Sequence, residues 1–215
     1  MRGIFLRSIG VLVAFLFMSS SANAALFFEI EANDTIVTAQ NIDGAFDLSP
    51  NSLIENSAGV NTSTLVPHVE ILSVGDFSVT SDFFSFTASA GDTVVLDIDC
   101  VSSPTLNGCG PSPFGPFDAL VVLYDPGGAP VFAGDDSFLP IDTGSDSGGT
   151  LDSFLEIVLP VGGLWAIEVD DVILGPIPAG GEYILNVSLA PVPVPAAVWL
   201  FGSALGLLGW MKRKH

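Results

Sequence analysis

Short apolar runs alternate with turn-forming clusters along most of the chain. The runs are rich in Val, Ile, Leu and Phe, and clusters of Gly, Pro, Asp and Ser separate them at intervals of about ten residues. This spacing predicts an all-β fold, either a sandwich or a barrel, with no helix of consequence between the two ends of the chain. The predicted strands are residues 69–74, 82–87, 93–98, 119–124, 130–133, 153–159, 164–169 and 182–189.

The alternation within these runs indicates which strands have one face in a core. In Phe84-Ser85-Phe86 and in residues 165–169 every second side chain is apolar, as in a strand with one buried face. Other runs are apolar throughout, which predicts central strands covered on both faces. Glycine-containing turns such as Ala90-Gly91-Asp92 and residues 125–128 separate the runs, because glycine readily adopts positive φ.

The first residues have the composition of a secretory signal. Arg2 and Arg7 precede an apolar run over residues 9–18, and Ala22-Asn23-Ala24 follows it. A charged, then hydrophobic, then A-x-A arrangement predicts a signal peptide over residues 1–24, cleaved after Ala24. The body that remains, residues 25–190, is long enough for a single domain.

The last residues have the composition of a membrane span. Residues 196–211 are uncharged and almost wholly apolar, and Lys212, Arg213 and Lys214 follow at once. As a helix this segment is about 24 Å long, somewhat short of a hydrocarbon core of about 30 Å, which a bilayer can accommodate. The sequence therefore predicts a single C-terminal transmembrane helix, with the basic tail 212–215 on the cytoplasmic side.

The same end of the chain resembles a known sorting signal. The residues that carry the resemblance are Val192-Pro193-Val194-Pro195-Ala196-Ala197, Trp199-Leu200-Phe201-Gly202-Ser203, Gly206-Leu207-Leu208-Gly209 and the basic end. Together they resemble the PEP-CTERM signal, with Val194 where that family has Glu. The resemblance covers residues 191–215 and implies processing by an exosortase-type enzyme, with delivery to the surface or extracellular matrix of a Gram-negative bacterium. The alternative is a permanent inner-membrane anchor that carries a periplasmic domain.

Charge is divided sharply between the body and the ends. All five basic residues lie at the termini and all 24 acidic residues lie between them, so residues 25–190 contain no Lys or Arg. Such a body repels phosphate backbones, and this makes nucleic acid an improbable partner. Its carboxylates form either a solvated acidic surface or sites for divalent cations.

Two cysteines lie close together in this exported region. Cys100 and Cys109 are flanked by Pro and Gly, and in an oxidising compartment such a pair predicts a small disulfide loop. A metal site is the alternative, but the neighbouring sequence offers no His or further Cys to complete one.

The body also resembles a known domain. The matching residues are Glu29-Ile30-Glu31-Ala32-Asn33-Asp34, Ser81-Asp82-Phe83-Phe84-Ser85-Phe86, Ala90-Gly91-Asp92, Phe117-Asp118-Ala119-Leu120, Leu123-Tyr124-Asp125-Pro126-Gly127, Asp135-Asp136 and Gly181-Glu182-Tyr183-Ile184-Leu185-Asn186-Val187. They resemble the bacterial pre-peptidase C-terminal domain, which implies a jelly-roll-like β-sandwich.

The resemblance further implies a calcium site, with Glu29, Glu31, Asn33, Asp34 and Asp82 as its ligands. Calcium takes six to eight oxygen ligands, and the segment 29–34 offers four suitable side chains. The alternative is an acidic stretch that is merely solvated.

Little in the body favours catalysis. His68 is the only His within residues 25–190 and no Lys is available as a base; we expect His68 at the surface. The sequence therefore predicts a non-catalytic exported protein of the cell surface or matrix, associated with exopolysaccharide or biofilm. The alternatives are a surface-displayed carbohydrate-active enzyme and a periplasmic accessory domain. Exposed aromatic residues in a groove beside a close carboxylate pair would favour the enzyme.

Overall fold

The structure is a computed structural model of the chain. It describes residues 26–30, 32–73, 80–99, 111–112, 115–116, 118–136, 152–172, 175–177 and 183–192. The signal cleavage residue Ala24, the pair Cys100 and Cys109, and the segment 196–211 lie outside these residues. Among the described residues, no helix is long and apolar enough to cross a membrane.

The described residues form β-strands joined by turns and loops. In chain order the strands are β1 (Phe27–Phe28), β2 (Gln40–Asn41), β3 (His68–Ser73), β4 (Asp82–Ala88), β5 (Thr93–Asp99), β6 (Pro111–Ser112), β7 (Gly115–Pro116), β8 (Ala119–Tyr124), β9 (Pro130–Gly134), β10 (Phe154–Val158), β11 (Gly163–Asp171) and β12 (Tyr183–Ala190). All eight longer strands were predicted to within two residues at each end, because alternation and flanking turns specify them locally.

Ten of these strands form two five-stranded sheets. Sheet A has the order β1-β3-β12-β5-β10 and sheet B the order β2-β4-β11-β8-β9, while β6 and β7 pair separately. Pairing within the two large sheets is antiparallel, except that β1 runs parallel to β3 and β2 runs parallel to β4. The described part of the chain is therefore all-β, with two sheets and no helix, as a β-sandwich requires.

One hydrophobic core joins the inner faces of both sheets. Sheet B contributes alternate residues such as Phe84, Phe86 and Trp165, each with no exposed surface. Sheet A contributes residues of the same cluster, among them Leu96 and Leu185. Burial of this apolar surface, at about 25 cal/mol per Å², is the main term that holds the sheets together.

A long loop, residues 47–66, covers the outer face of sheet A. The Asn51 amide donates to the carboxylate of Glu70 on β3, and the Ser57 N–H donates to the Glu156 carboxylate on β10 at 2.7 Å. Since β12 and β5 lie between β3 and β10, the loop spans the sheet. Ile54 of this loop is only 1% exposed although it lies outside the central core cluster. The inner strands of sheet A are thus covered on both faces.

The loop also changes the position expected for His68. We expected a surface residue, but His68 is 2% exposed. Its backbone pairs with that of Asp47 through two hydrogen bonds of 2.9 Å, and its Nε2 lies 3.9 Å from the Asp47 Oδ1. The expectation was wrong because the covering loop begins at this strand and buries its outward-facing first residue.

The closest approach of β9 to β10 gives a stability prediction. A Cβ added at Gly134 would lie 2.6 Å from the Phe154 carbonyl oxygen, a backbone atom that cannot rotate away. We expect Gly134→Ala to lower the free energy of unfolding by about 1 to 3 kcal/mol, measured by urea titration. Gly44→Ala is the matched control, because a Cβ there meets nothing within 4 Å. Equal stabilities of the two variants would contradict this packing.

Candidate cation sites

The acidic N-terminal segment crosses from one sheet to the other. β1 lies at the edge of sheet A and β2 at the edge of sheet B, so residues 29–39 connect the two edges. Gln40 ties the crossing together, because its Oε1 accepts from the Ile30 N–H at 2.8 Å and its Nε2 donates to the Phe28 carbonyl at 3.0 Å. The crossing brings the segment beside the first residue of β4, which is Asp82.

Three of the five predicted calcium ligands meet at this crossing. The Asn33 Nδ2 donates to the Glu29 Oε1 at 3.0 Å, and the Phe83 N–H donates to the Asn33 carbonyl at 2.9 Å. Asp82 precedes Phe83, and its Oδ2 accepts from the Tyr183 hydroxyl at 2.6 Å. The site therefore joins residues that are far apart in the sequence. We call Glu29, Asn33 and Asp82 the crossing site.

The crossing site contains an acceptor with no hydrogen bond. Asn33 is 1% exposed, and its Oδ1 is buried without a hydrogen-bond partner. Leaving a buried acceptor unsatisfied costs about 1 to 3 kcal/mol. Carboxylate and amide oxygens are the ligands that calcium prefers, so the donor set of the crossing site fits a calcium ion.

The pKa of the neighbouring Tyr183 hydroxyl is affected by two residues of the crossing site. Tyr183 is buried, and burial raises its pKa well above the usual value. The negative charges of Asp82 and Glu29 raise the pKa further, as does the hydrogen bond to Asp82. The carboxylates of Asp82 and Glu29 therefore both raise the pKa of the same buried phenol, although the two residues are far apart in the sequence.

The two remaining predicted ligands, Asp34 and Glu31, are not placed with the other three by any contact of the described residues. Asp34 is partly buried at the end of the acidic segment. Glu31 lies outside the described residues. The structure thus places three of the five residues at the crossing, and the calcium site stays a prediction.

The predicted sorting motif begins within the described residues. The Val192 N–H donates to the Asp92 Oδ1 at 3.0 Å, and the Asp92 Oδ2 accepts from the Ser89 N–H at 2.7 Å. The turn between β4 and β5 therefore holds the first residue of the tail. The rest of the predicted motif, Pro193, Val194, Pro195, Ala196, Lys212, Arg213 and Lys214, lies outside the described residues.

Asp118, Asp135 and Asp136 form a second acidic cluster, and the sequence did not predict that Asp118 lies beside the other two. Oxygen atoms of Asp118, Asp135 and Asp136 lie within 4.8 Å of one another. The cluster forms because β8 and β9 make an antiparallel hairpin, so the residue before β8 meets the residues after β9. The hairpin was readable from the sequence, and its register would have found the cluster.

The like charges of this second cluster repel one another. Burial raises the pKa of Asp118, and the charges of Asp135, Asp136 and Asp171 raise it further. The pKa of Asp135 is also raised, first by burial and then by Asp136. The Asp118 Oδ1 is buried and has no hydrogen-bond partner. The cluster is thus a local concentration of negative charge on a body that has no basic side chain of its own.

A third group of carboxylates lies on the outer face of sheet B. The Tyr124 hydroxyl donates to the Glu168 carboxylate, and burial together with Glu168 raises the pKa of Tyr124 to about 12. Burial raises the pKa of Asp170 to about 6; a hydrogen bond from Ser81 lowers it, and the charges of Glu168 and Asp171 raise it.

Comparisons with known proteins add no relative. No protein-family model matches the chain, and no curated protein matches it. The likeness to the sorting signal and to the pre-peptidase C-terminal domain therefore rests on the residues quoted above.

The raised pKa of Asp170 gives a pH prediction. The folded state holds this proton more tightly than the unfolded state, so Asp170 lowers stability as pH rises from about 4 to above 6. We expect Asp170→Asn to raise the free energy of unfolding at pH 7.5 by about 1 kcal/mol, a value that allows for solvent screening of this half-buried group. That change corresponds to a rise of about 2 to 4 °C in melting temperature. The gain should disappear near pH 4, as measured by thermal unfolding.

Asp43 provides a control of opposite sign. Burial by itself raises the pKa of Asp43, but hydrogen bonds from the Thr87 backbone and hydroxyl and from Asn41 outweigh it and lower the pKa. Asp43→Asn should therefore reduce stability at pH 7.5 and have little effect at low pH. Shifts of the same sign in both variants would contradict the electrostatic assignment.

Proposed function

We propose that the chain is an exported, non-catalytic protein of the bacterial surface or extracellular matrix, sorted by an exosortase-type system and associated with exopolysaccharide. Its body is a jelly-roll-like sandwich stabilised by calcium at the crossing site. The strand order supports this fold, because the eight longer strands lie as β3-β12-β5-β10 and β4-β11-β8-β9. Such an order follows from two Greek keys wound through two sheets.

The observation that carries the calcium proposal is the buried Asn33 oxygen. It lies between two carboxylate-bearing segments, in a body without Lys or Arg to neutralise them. A hydrogen-bond donor or a cation is needed to satisfy such an oxygen, and a cation would also offset the charges of Glu29 and Asp82. In the proposed arrangement calcium ties the N-terminal segment to the start of β4.

The described surface supports a non-catalytic role. Among the aromatic residues that the structure describes, Phe28 alone is largely exposed. An open groove of about 300 Å³ on sheet B is lined by residues that include Ile36 and Leu164, and its carboxylate belongs to Asp125. The Asp125 Oδ1 accepts from the Gly127 and Ala129 N–H groups and so shapes its own turn.

The proposed link to exopolysaccharide follows from charge. A body with 24 acidic residues and no internal basic residue repels an anionic polymer unless cations lie between them. The exposed carboxylate of Asp135 and the partly buried carboxylate of Asp136 can share calcium with carboxylate groups of a polysaccharide. Association with the polymer should therefore require calcium and weaken with a chelator.

Calcium should stabilise the protein through the crossing site. For a dissociation constant of about 0.1 to 1 mM, about 10 mM calcium adds about 1.4 to 2.7 kcal/mol, or about 3 to 10 °C in melting temperature. We expect Asn33→Leu to lose most of this increase, because it removes an amide ligand. The measurement is thermal unfolding of the exported protein in calcium and in EDTA.

Asn41→Leu is the matched control for this experiment. Asn41 is exposed on the neighbouring strand β2, so its replacement should keep the full calcium increase. The proposal fails if calcium raises the melting temperature of the Asn33 and Asn41 variants equally, or if calcium has no effect on the wild-type protein. Sedimentation with anionic exopolysaccharide, with and without calcium, tests the association directly.

The sorting route has its own test. We expect the full-length protein to reach the cell surface or medium with a new C-terminus, and a chain that ends at Val192 to remain periplasmic. Ending at Val192 preserves its bond to Asp92 and so leaves the body intact. Fractionation of the cells and mass measurement of the mature C-terminus distinguish sorting from a permanent membrane anchor. An intact tail retained in the inner membrane would contradict sorting and favour the permanent anchor.

A further inference from the structure

Four exposed apolar side chains lie at one end of the sandwich. Val158 ends β10, Leu164 is the second residue of β11, and Val161 lies in the turn between them. Val192 follows the end of β12. Their exposed fractions range from 45% for Val192 to 59% for Val158. We call these four residues the apolar end. A single exposed apolar residue is ordinary, but a group of them at one place marks a surface that meets a partner or a membrane.

Contacts between two turns and the end of the body hold this group together. The Gly91 N–H donates to the Leu159 carbonyl at 2.8 Å, and the Leu159 N–H donates to the Asp92 carbonyl at 2.8 Å. The Val192 N–H donates to the Asp92 Oδ1 at 3.0 Å, and a Cβ added at Gly91 would lie 2.7 Å from the Val192 Cγ2. The β4–β5 turn, the β10–β11 turn and the last described residue therefore form one packed surface.

The two ends of the sandwich differ in charge. β11 begins at the apolar end and runs to the opposite end, where the Val172 N–H donates to the Asp118 carbonyl at 2.8 Å. The opposite end therefore carries the acidic cluster of Asp118, Asp135 and Asp136. At the apolar end the Asp92 carboxylate accepts backbone N–H groups. In a body without Lys or Arg, the apolar end is thus better suited than the acidic end to approach an anionic lipid surface.

The chain leaves the sandwich at the apolar end and has little length to spare. The predicted span, residues 196–211, lies outside the described residues, and only residues 193–195 separate it from Val192. The four steps from Val192 to Ala196 reach at most about 14 Å in a fully extended chain. The headgroup layer takes up about 5 to 7 Å of that length. With the span in a bilayer, the apolar end would thus lie within about 10 Å of the headgroups.

We infer that the apolar end contacts the phospholipid headgroup layer of the membrane that holds the predicted span. This rests on the proposed function only through that span, which a sorted protein has before processing and a permanent anchor keeps. The short connection brings the apolar end to the lipid, and its exposed Val and Leu side chains are then removed from water at the interface. In this orientation the acidic cluster lies at the end remote from the membrane.

Fluorescence quenching in vesicles tests the contact. The full-length protein, made in a host without an exosortase, is reconstituted into vesicles of phosphatidylethanolamine and phosphatidylglycerol that contain a lipid spin-labelled at its headgroup. A thiol-reactive fluorophore is attached at Val161→Cys or, as the matched control at the opposite end, at Val172→Cys. The wild-type protein, labelled in the same way, gives the background from Cys100 and Cys109. We expect several-fold stronger quenching at position 161 than at position 172.

Alkaline carbonate extraction of the same vesicles distinguishes a missing contact from a missing span. Protein that resists extraction and is quenched equally at both positions has the span without the contact, which overturns this inference alone. Protein that carbonate removes from the vesicles has no span, which overturns this inference together with the sorting route. Disulfide cross-linking of two Val161→Cys chains, without quenching by lipid, would show that a second copy covers the apolar end, and this too would overturn the contact with lipid.

A charge introduced at the apolar end gives a second readout. In the labelled Val161→Cys protein, Val158→Asp should reduce the quenching by lipid, because burial of a carboxylate at the interface is unfavourable. Val172→Asp adds the same charge at the opposite end and should leave the quenching unchanged. Both Val residues are exposed, so neither variant disturbs the core. Equal quenching in the two variants would show that the short connection alone brings the apolar end near the lipid, and would overturn the contact.

Discussion

The carboxylates of residues 25–190 must be stabilised without any Lys or Arg in that part of the chain, and the described residues show two different arrangements. Turn carboxylates accept backbone N–H groups, as Asp92 does from Ser89 and Asp125 does from Gly127. Such bonds stabilise the ionised form and give these residues a structural role. Asp118, Asp135 and Asp136 instead gather in one cluster, where burial and the neighbouring negative charges raise the pKa of Asp118 and of Asp135.

The constraint explains why acidic residues of similar sequence context differ in role. Asp92 and Asp125 both lie in glycine-containing turns and accept backbone N–H groups of those turns, and Asp92 also accepts from the Val192 N–H. Asp97 and Asp99 lie within a regular strand, where the backbone N–H groups are already engaged in the sheet. A carboxylate on such a strand therefore depends on other side chains, and the Asn186 amide of the neighbouring strand β12 donates to Asp99.

Local sequence was sufficient for the eight longer strands, because alternation and turns are short-range signals. β1 and β2 were missed, since a two-residue strand has no period and exists only through its parallel pairing with β3 or β4. The loop 47–66 could not be placed either. Its position depends on contacts such as Ser57 to Glu156, between residues about a hundred positions apart, and these are absent from any local pattern.

The sites were predictable to different degrees for the same reason. Glu29 and Asn33 lie within one short segment, and the resemblance supplied Asp82, so their convergence could be expected. The burial of Asp97 and Asp99 could not be expected, because the alternation of Leu96, Asp97, Ile98 and Asp99 predicts a strand whose polar face meets water. Only the tertiary position of the covering loop buries that face.

Calcium at the proposed crossing site would make folding depend on an ion from outside the chain. A ligand that binds only the folded state stabilises it in proportion to the logarithm of its concentration. The crossing site lies where the N-terminal segment passes from the edge of sheet A to the edge of sheet B, so an ion there would stabilise the contact between this segment and β4. In this arrangement calcium performs the task that Lys and Arg perform in other domains, with the difference that it can be withdrawn.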